Sequence, residues 1–73
     1  MDLKSKILYD IQKEYNIRIS NGQEPEEAYN FDHIEFAKKY GYNEDILIEV
    51  LEELNSDGNI EMDIIGNFQL KVD

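Results

Sequence analysis

The 73-residue chain has no cysteine, which excludes disulfides, thiolate metal sites and thiol nucleophiles together and suits a reducing compartment. Its one histidine, His33, stands at the start of a helical stretch, and a lone imidazole without thiolates does not make a zinc site. No apolar run approaches the roughly eighteen residues that a membrane helix needs. The N-terminal Met-Asp-Leu-Lys-Ser-Lys-Ile lacks the apolar core of a signal peptide, so a soluble cytoplasmic protein without membrane contact is expected. Positive charge is the scarcest commodity: 7 Lys and Arg stand against 17 Asp and Glu, for a net charge of −10, and no Lys or Arg lies between Gly41 and Leu70. Lys4, Lys6, Lys13 and Arg18 against Asp2, Asp10 and Glu14 leave residues 1–20 at +1, so residues 21–73 carry −11.

Chemistry-bearing patterns are equally sparse. There is no glycine-rich phosphate loop, and Ser5 and Ser20 are remote from His33 in sequence, with no nucleophile motif around them. Acid pairs such as Glu26-Glu27 and Glu52-Glu53 lie on polar segments, where carboxylates rarely acquire the shifted pKa values of general acids and bases. Glu53, Asn55, Asp57, Gly58 and Ile60 fall at the first, third, fifth, sixth and eighth places of a calcium loop, but its twelfth place, which needs a bidentate glutamate, is Ile64. Neither catalysis, nor a cofactor, nor a metal is expected.

What the chain does have is periodicity. A hydrophobic content of 41% suits one small domain spanning residues 1–73. Leu3, Ile7, Leu8, Ile11, Tyr15 and Ile19 share one side of a helix predicted from about Leu3 to Ser20 and stopped at Asn21-Gly22, with Ile17 off the stripe. A polar loop follows in which Pro25 can start one helical turn, and then Tyr29, Asn30 and Phe31 alternate as a short strand. Asp32-His33-Ile34-Glu35 reads as a capping box opening a second helix from about His33 to Tyr40, with Ile34, Ala37 and Phe36 or Tyr40 inward and Gly41 as its stop. Asn43 caps a third helix reaching about Asn55. On it Ile46, Leu47, Val50, Leu51 and Leu54 form an apolar arc; Glu44, Asp45, Glu49, Glu52 and Glu53 form the opposite one, with Ile48 as the single apolar residue among those acids.

The last segment alternates twice, as Ile60, Met62, Ile64 and as Phe68, Leu70, Val72. A two-residue Gly66-Asn67 turn would mix the faces of such a hairpin. A three-residue loop Ile65-Gly66-Asn67, with Asn67 left-handed, sets Ile64 opposite Phe68 and gathers all six apolar residues on one face, leaving Ile65 exposed at the tip.

Ala37, three further residues and Gly41, then a helix carrying Leu47, Val50, Leu51 and Leu54, the loop Gly58 and the strand residue Ile60 resemble the winged helix-turn-helix superfamily. The resemblance implies a mainly α fold of three helices and a short strand with a C-terminal β-hairpin as the wing. It also implies a third helix of the kind that enters a DNA major groove.

Composition and that implication point in opposite directions. DNA-binding domains draw most of their affinity from cations that replace counterions on phosphates. A carboxylate about 7 Å from a phosphate instead costs roughly 0.6 kcal/mol in a water-like dielectric before screening. With five such groups on its outer arc, the third helix is disfavoured as a nucleic-acid reader. Two readings of the acidic face remain open: a solvated surface that keeps a small protein soluble, and a surface for a protein partner with a basic patch. In the second, Glu44, Asp45, Glu49 and Glu52 steer the partner while Ile48 and Ile65 anchor it. A particular version is mimicry of nucleic acid, since in charge and size the chain resembles small phage-encoded inhibitors, anti-CRISPR proteins among them. The alternative is a DNA-binding transcription regulator that uses another face or a dimer, with Lys38 and Lys39 touching phosphates. Monomer and homodimer both stay open.

Overall fold

The computed structural model describes residues 2–71. It is mainly helical with a small antiparallel sheet, in the order α1 (Leu3–Ser20), α2 (Pro25–Ala28), β1 (Asn30–Asp32), α3 (His33–Tyr40), α4 (Glu44–Ser56), β2 (Ile60–Met62) and β3 (Asn67–Leu70). The helix boundaries follow from side chains able to satisfy terminal amides. Asp2 accepts from the Ser5 amide at 2.8 Å, Asp32 from that of Ile34 at 2.8 Å, and Asn43 from those of Asp45 and Ile46 at 2.9 and 3.2 Å. Asp32 forms only half of the expected capping box, because no bond from its own amide to the Glu35 carboxylate accompanies it among the described residues. Pro25 opens the single turn of α2 at a position where its missing N–H costs nothing. The tight corner between α3 and α4 rests on Gly41, whose φ of 76° lets the Tyr42 amide turn back to the Ala37 carbonyl at 2.9 Å.

The sheet has the order β1-β3-β2, with Phe31 opposite Phe68 and Ile60 opposite Leu70. Its inner face joins the helices around Ile7, Ile11, Phe36, Leu47, Leu51, Leu54 and Phe68. Full burial of each such side chain is worth about 1.5–3 kcal/mol relative to exposure. Phe31 and Phe68 stack at 5.1 Å between centroids, and Phe36 meets both edge-on at 6.0 and 5.8 Å. Both sheet edges are covered by side chains. Arg18 donates to the Asn30 carbonyl at 2.7 Å on the β1 side, and Asn55 accepts from the Met62 amide at 3.3 Å on the β2 side.

The packing departs from the expected stripes in three places. Ile34 is exposed because Phe36, drawn into the aromatic cluster, sets the rotation of α3, and two residues upstream is 200° around the helix. Ile46 is exposed because the buried row of α4 is Leu47, Val50, Leu51 and Leu54, and Ile46 falls beside it. On α1 the buried positions are Ile7, Asp10, Ile11 and Glu14, so two acids occupy the inward stripe, while Leu3 and Ile19 are exposed near the helix ends. Ile17 remains helical and exposed.

The hairpin is also re-registered. Met62, not Ile64, lies opposite Phe68, and the loop is Ile64-Ile65-Gly66 with Gly66 at φ 95° in place of a left-handed Asn67. Asp63 organises it: its Oδ1 accepts from the Ile65 and Asn67 amides at 3.0 Å each, and its carbonyl accepts from Gly66 at 3.3 Å. Asp at the first position of a turn and Gly at the fourth are the residues that such a turn favours. Moving the loop by one residue moves the pairing by two, so Ile60, Met62, Phe68 and Leu70 keep a common face while Ile64 leaves it. Val72, expected on that face, lies outside the described residues.

Candidate functional site

The outer face of α4 carries Glu44, Asp45, Glu49, Glu52 and Glu53, all exposed. Glu44 and Asp45 occupy its first turn, where the helix dipole favours acids. Further along, Asp45, Glu49 and Glu53 stand four residues apart, the spacing at which like charges destabilise a helix by about 0.2–0.5 kcal/mol per pair. None of Glu44, Asp45, Glu49 and Glu52 forms an ion pair among the described residues. Lys4, which shares a groove with Glu49, Glu52 and Glu53, is held by Asp57 beyond the end of α4, a pairing that raises the Lys4 pKa.

Ile48 is not the exposed residue its place among the acids predicted; it is half-buried and packs against the core. Its outer side lines a groove of about 480 Å³ between α4 and the hairpin, shared with Glu52, Met62, Asp63, Ile64 and Ile65. The structure therefore brings Ile48, Glu52 and Ile65 together, while Glu49 opens onto a neighbouring groove with Glu53 and Lys4. Glu44 and Asp45 line neither groove. Ile64 is fully exposed at 103% and Ile65 at 72%, so the hairpin tip presents two adjacent apolar side chains where one was expected. His33, at the other side of the tip, packs its ring against Gly66, and its Nδ1 is buried without a hydrogen-bond partner. Sequence reasoning missed Ile64, Met62 and His33 as members of this groove. The signal was the Asp63–Gly66 turn pattern, which fixes the loop one residue earlier.

The cations are mostly engaged elsewhere. Along α1 the residues Lys6, Asp10, Glu14 and Arg18 follow one another at four-residue intervals and form a polar seam against α3 and the residues just after it. Glu14 accepts from Lys39 Nζ at 2.8 and 3.0 Å, from the Tyr40 hydroxyl at 2.7 Å and from Arg18 Nε at 3.3 Å. Burial alone would raise the Glu14 pKa, but the bonds from Lys39 and Tyr40 and the charges of Lys39 and Arg18 outweigh it and hold that pKa below the ordinary glutamate value. Burial together with the Glu14 bond pushes the Tyr40 hydroxyl pKa well up. Asp10 is bonded by Lys6 at 3.3 Å and by the Tyr42 hydroxyl; burial and this carboxylate raise the Tyr42 pKa. Arg18 also lies over the Phe31 ring at 4.4 Å. Of the two lysines considered for phosphate contact, Lys39 is thus bonded to Glu14, and Lys38 is exposed without an ion pair among the described residues.

Among the described residues, no group of three or more Asp, Glu or His is placed to hold a metal ion, and no helix is long and apolar enough to cross a membrane. Compared with known protein families, curated proteins and solved structures, the chain matches none.

Proposed function

We propose that the chain is a non-enzymatic binding domain of winged-helix type that takes a cationic macromolecule, a protein with a basic surface, on the outer face of α4. The arrangement that supports the winged-helix assignment is the succession of α1, β1, α3, α4 and a hairpin with sheet order β1-β3-β2, which puts α4 and the hairpin loop side by side. The observation that carries the functional reading is the row of exposed, unpaired carboxylates on α4, in which Asp45, Glu49 and Glu53 repel one another along the helix and none contributes to the core. Such a face steers basic partners and repels phosphates. The particular form we favour is occupation of a basic nucleic-acid groove, with carboxylates standing where phosphates would.

The alternative of a DNA-binding regulator has less support. Lys4, Lys6, Arg18, Lys39 and Lys71 are each in ion pairs within the molecule, so few cations remain to release counterions from DNA. Fluorescence anisotropy with an arginine-rich peptide and with a short duplex DNA, at about 0.15 M salt, separates the two. Micromolar binding of the peptide, lost on Glu49→Lys/Glu52→Lys, with no binding of the duplex, is the expected result. Micromolar binding of the duplex that survives those charge reversals would replace this reading with the regulator.

A further inference from the structure

Charge alone does not account for the hairpin tip. A surface that acted only by electrostatics would have no use for Ile64 and Ile65 standing in water beside a groove with Ile48 and Met62 in its walls. The same groove carries Glu52 and Asp63, and the remaining α4 acids continue from it along the helix. Apolar walls with carboxylates at the rim are complementary to one kind of segment: a large aliphatic or aromatic side chain flanked by lysines or arginines.

We infer that the groove between α4 and the hairpin tip is a peptide-docking site for a basic segment with an apolar anchor, seated between Ile48 on one wall and Ile64 and Ile65 on the other. The inference rests on the reading of α4 as a face for cationic partners and adds what selects among them. Coulombic attraction draws in any polycation, whereas the anchor distinguishes an amphipathic basic segment from a uniformly charged one. It also makes the complex less sensitive to salt than a purely electrostatic one, because burial of apolar surface is not screened.

Two fluorescein-labelled peptides of about four helical turns test this. One is built of leucine and lysine, and the other has every leucine replaced by serine at unchanged charge. The wild-type domain is expected to bind the leucine-lysine peptide at least about tenfold more tightly. Ile64→Ser/Ile65→Ser should bring that affinity to within about twofold of the serine-lysine peptide, whose own binding stays unchanged. Because both isoleucines are exposed, these substitutions leave the fold intact, which circular dichroism verifies. Equal affinity for the two peptides, or a preference that survives the double substitution, would overturn the anchor and leave the acidic-face reading standing. Failure of both peptides to bind at low salt would overturn the two together.

Discussion

Replacing Glu14 by glutamine probes the least visible part of the design, a carboxylate buried in a helix of a protein already overloaded with acids. In the folded chain Glu14 receives Tyr40, Lys39 and Arg18 at 2.7 to 3.3 Å. A hydrogen bond to a charged group contributes about 1.5–3 kcal/mol when buried. An ion pair with a solvated partner is worth about 0–1 kcal/mol. Lys39 is 58% exposed in its side chain, so its bonds count near the lower figure, and Arg18 at 25% lies between. Glutamine keeps an acceptor for Tyr40 but presents an amide to two cations, giving an expected loss of about 2 kcal/mol at neutral pH. For a domain of this size that lowers the Tm by roughly 8–16 °C. The pH dependence supplies the discriminating sign. The Glu14 pKa is depressed in the folded state, so its contribution is fully present above the ordinary glutamate pKa and disappears as pH falls through the folded value. Thermal unfolding followed by circular dichroism should therefore show a wild-type advantage at about pH 7 that shrinks by about pH 3. A difference below about 0.5 kcal/mol at neutral pH, or one that is equal at both, would refute the assignment.

Other expectations follow from single contacts. Gly66→Ala puts a methyl group into the His33 ring at a left-handed φ of 95° and should cost about 1–3 kcal/mol in chemical denaturation. Removing the ring as well, in Gly66→Ala/His33→Ala, should restore part of that loss, and a purely additive double variant would contradict the clash. Arg18→Met keeps contact with Phe31 but loses the bonds to Glu14 and to the Ala28 and Asn30 carbonyls, for about 1–2 kcal/mol by urea unfolding; an unchanged midpoint would show that the β1 edge needs no cover. Glu49→Lys replaces repulsion from Asp45 and Glu53 by attraction and should stabilise the domain by roughly 0.5–1 kcal/mol, even while it weakens binding of a polycation. A lowered Tm would mean that the α4 acids serve the fold after all.

The helical framework was legible because each boundary carries its own chemistry: Asn43 before α4, Asp32 before α3 and Gly41 at the corner between them. The hydrophobic period of α4 likewise located Leu47, Val50, Leu51 and Leu54. On α1 the apolar spacing located Ile7 and Ile11 but not the buried Asp10 and Glu14, whose partners Tyr42, Lys39 and Tyr40 are more than twenty residues away in sequence. The four-residue spacing of Lys6, Asp10, Glu14 and Arg18 was the available hint. The hairpin was assigned the right loop length and the wrong start, since alternation of apolar residues is insensitive to a two-residue change of pairing and only Asp63 breaks the tie. That same choice hid Ile64 from the candidate site, whereas Ile65 and the α4 carboxylates stood where helix and loop geometry placed them.

In the function we propose, the chain meets a cationic partner through α4 and the hairpin tip. A titration of isotopically labelled protein with the leucine-lysine peptide, followed at the backbone amides by NMR, is the decisive test. Shifts confined to residues 44–53 and 63–66, saturating together with one affinity, are expected. Shifts centred on α1 and α3, or an absence of shifts with the peptide alongside binding to duplex DNA, would contradict that proposal.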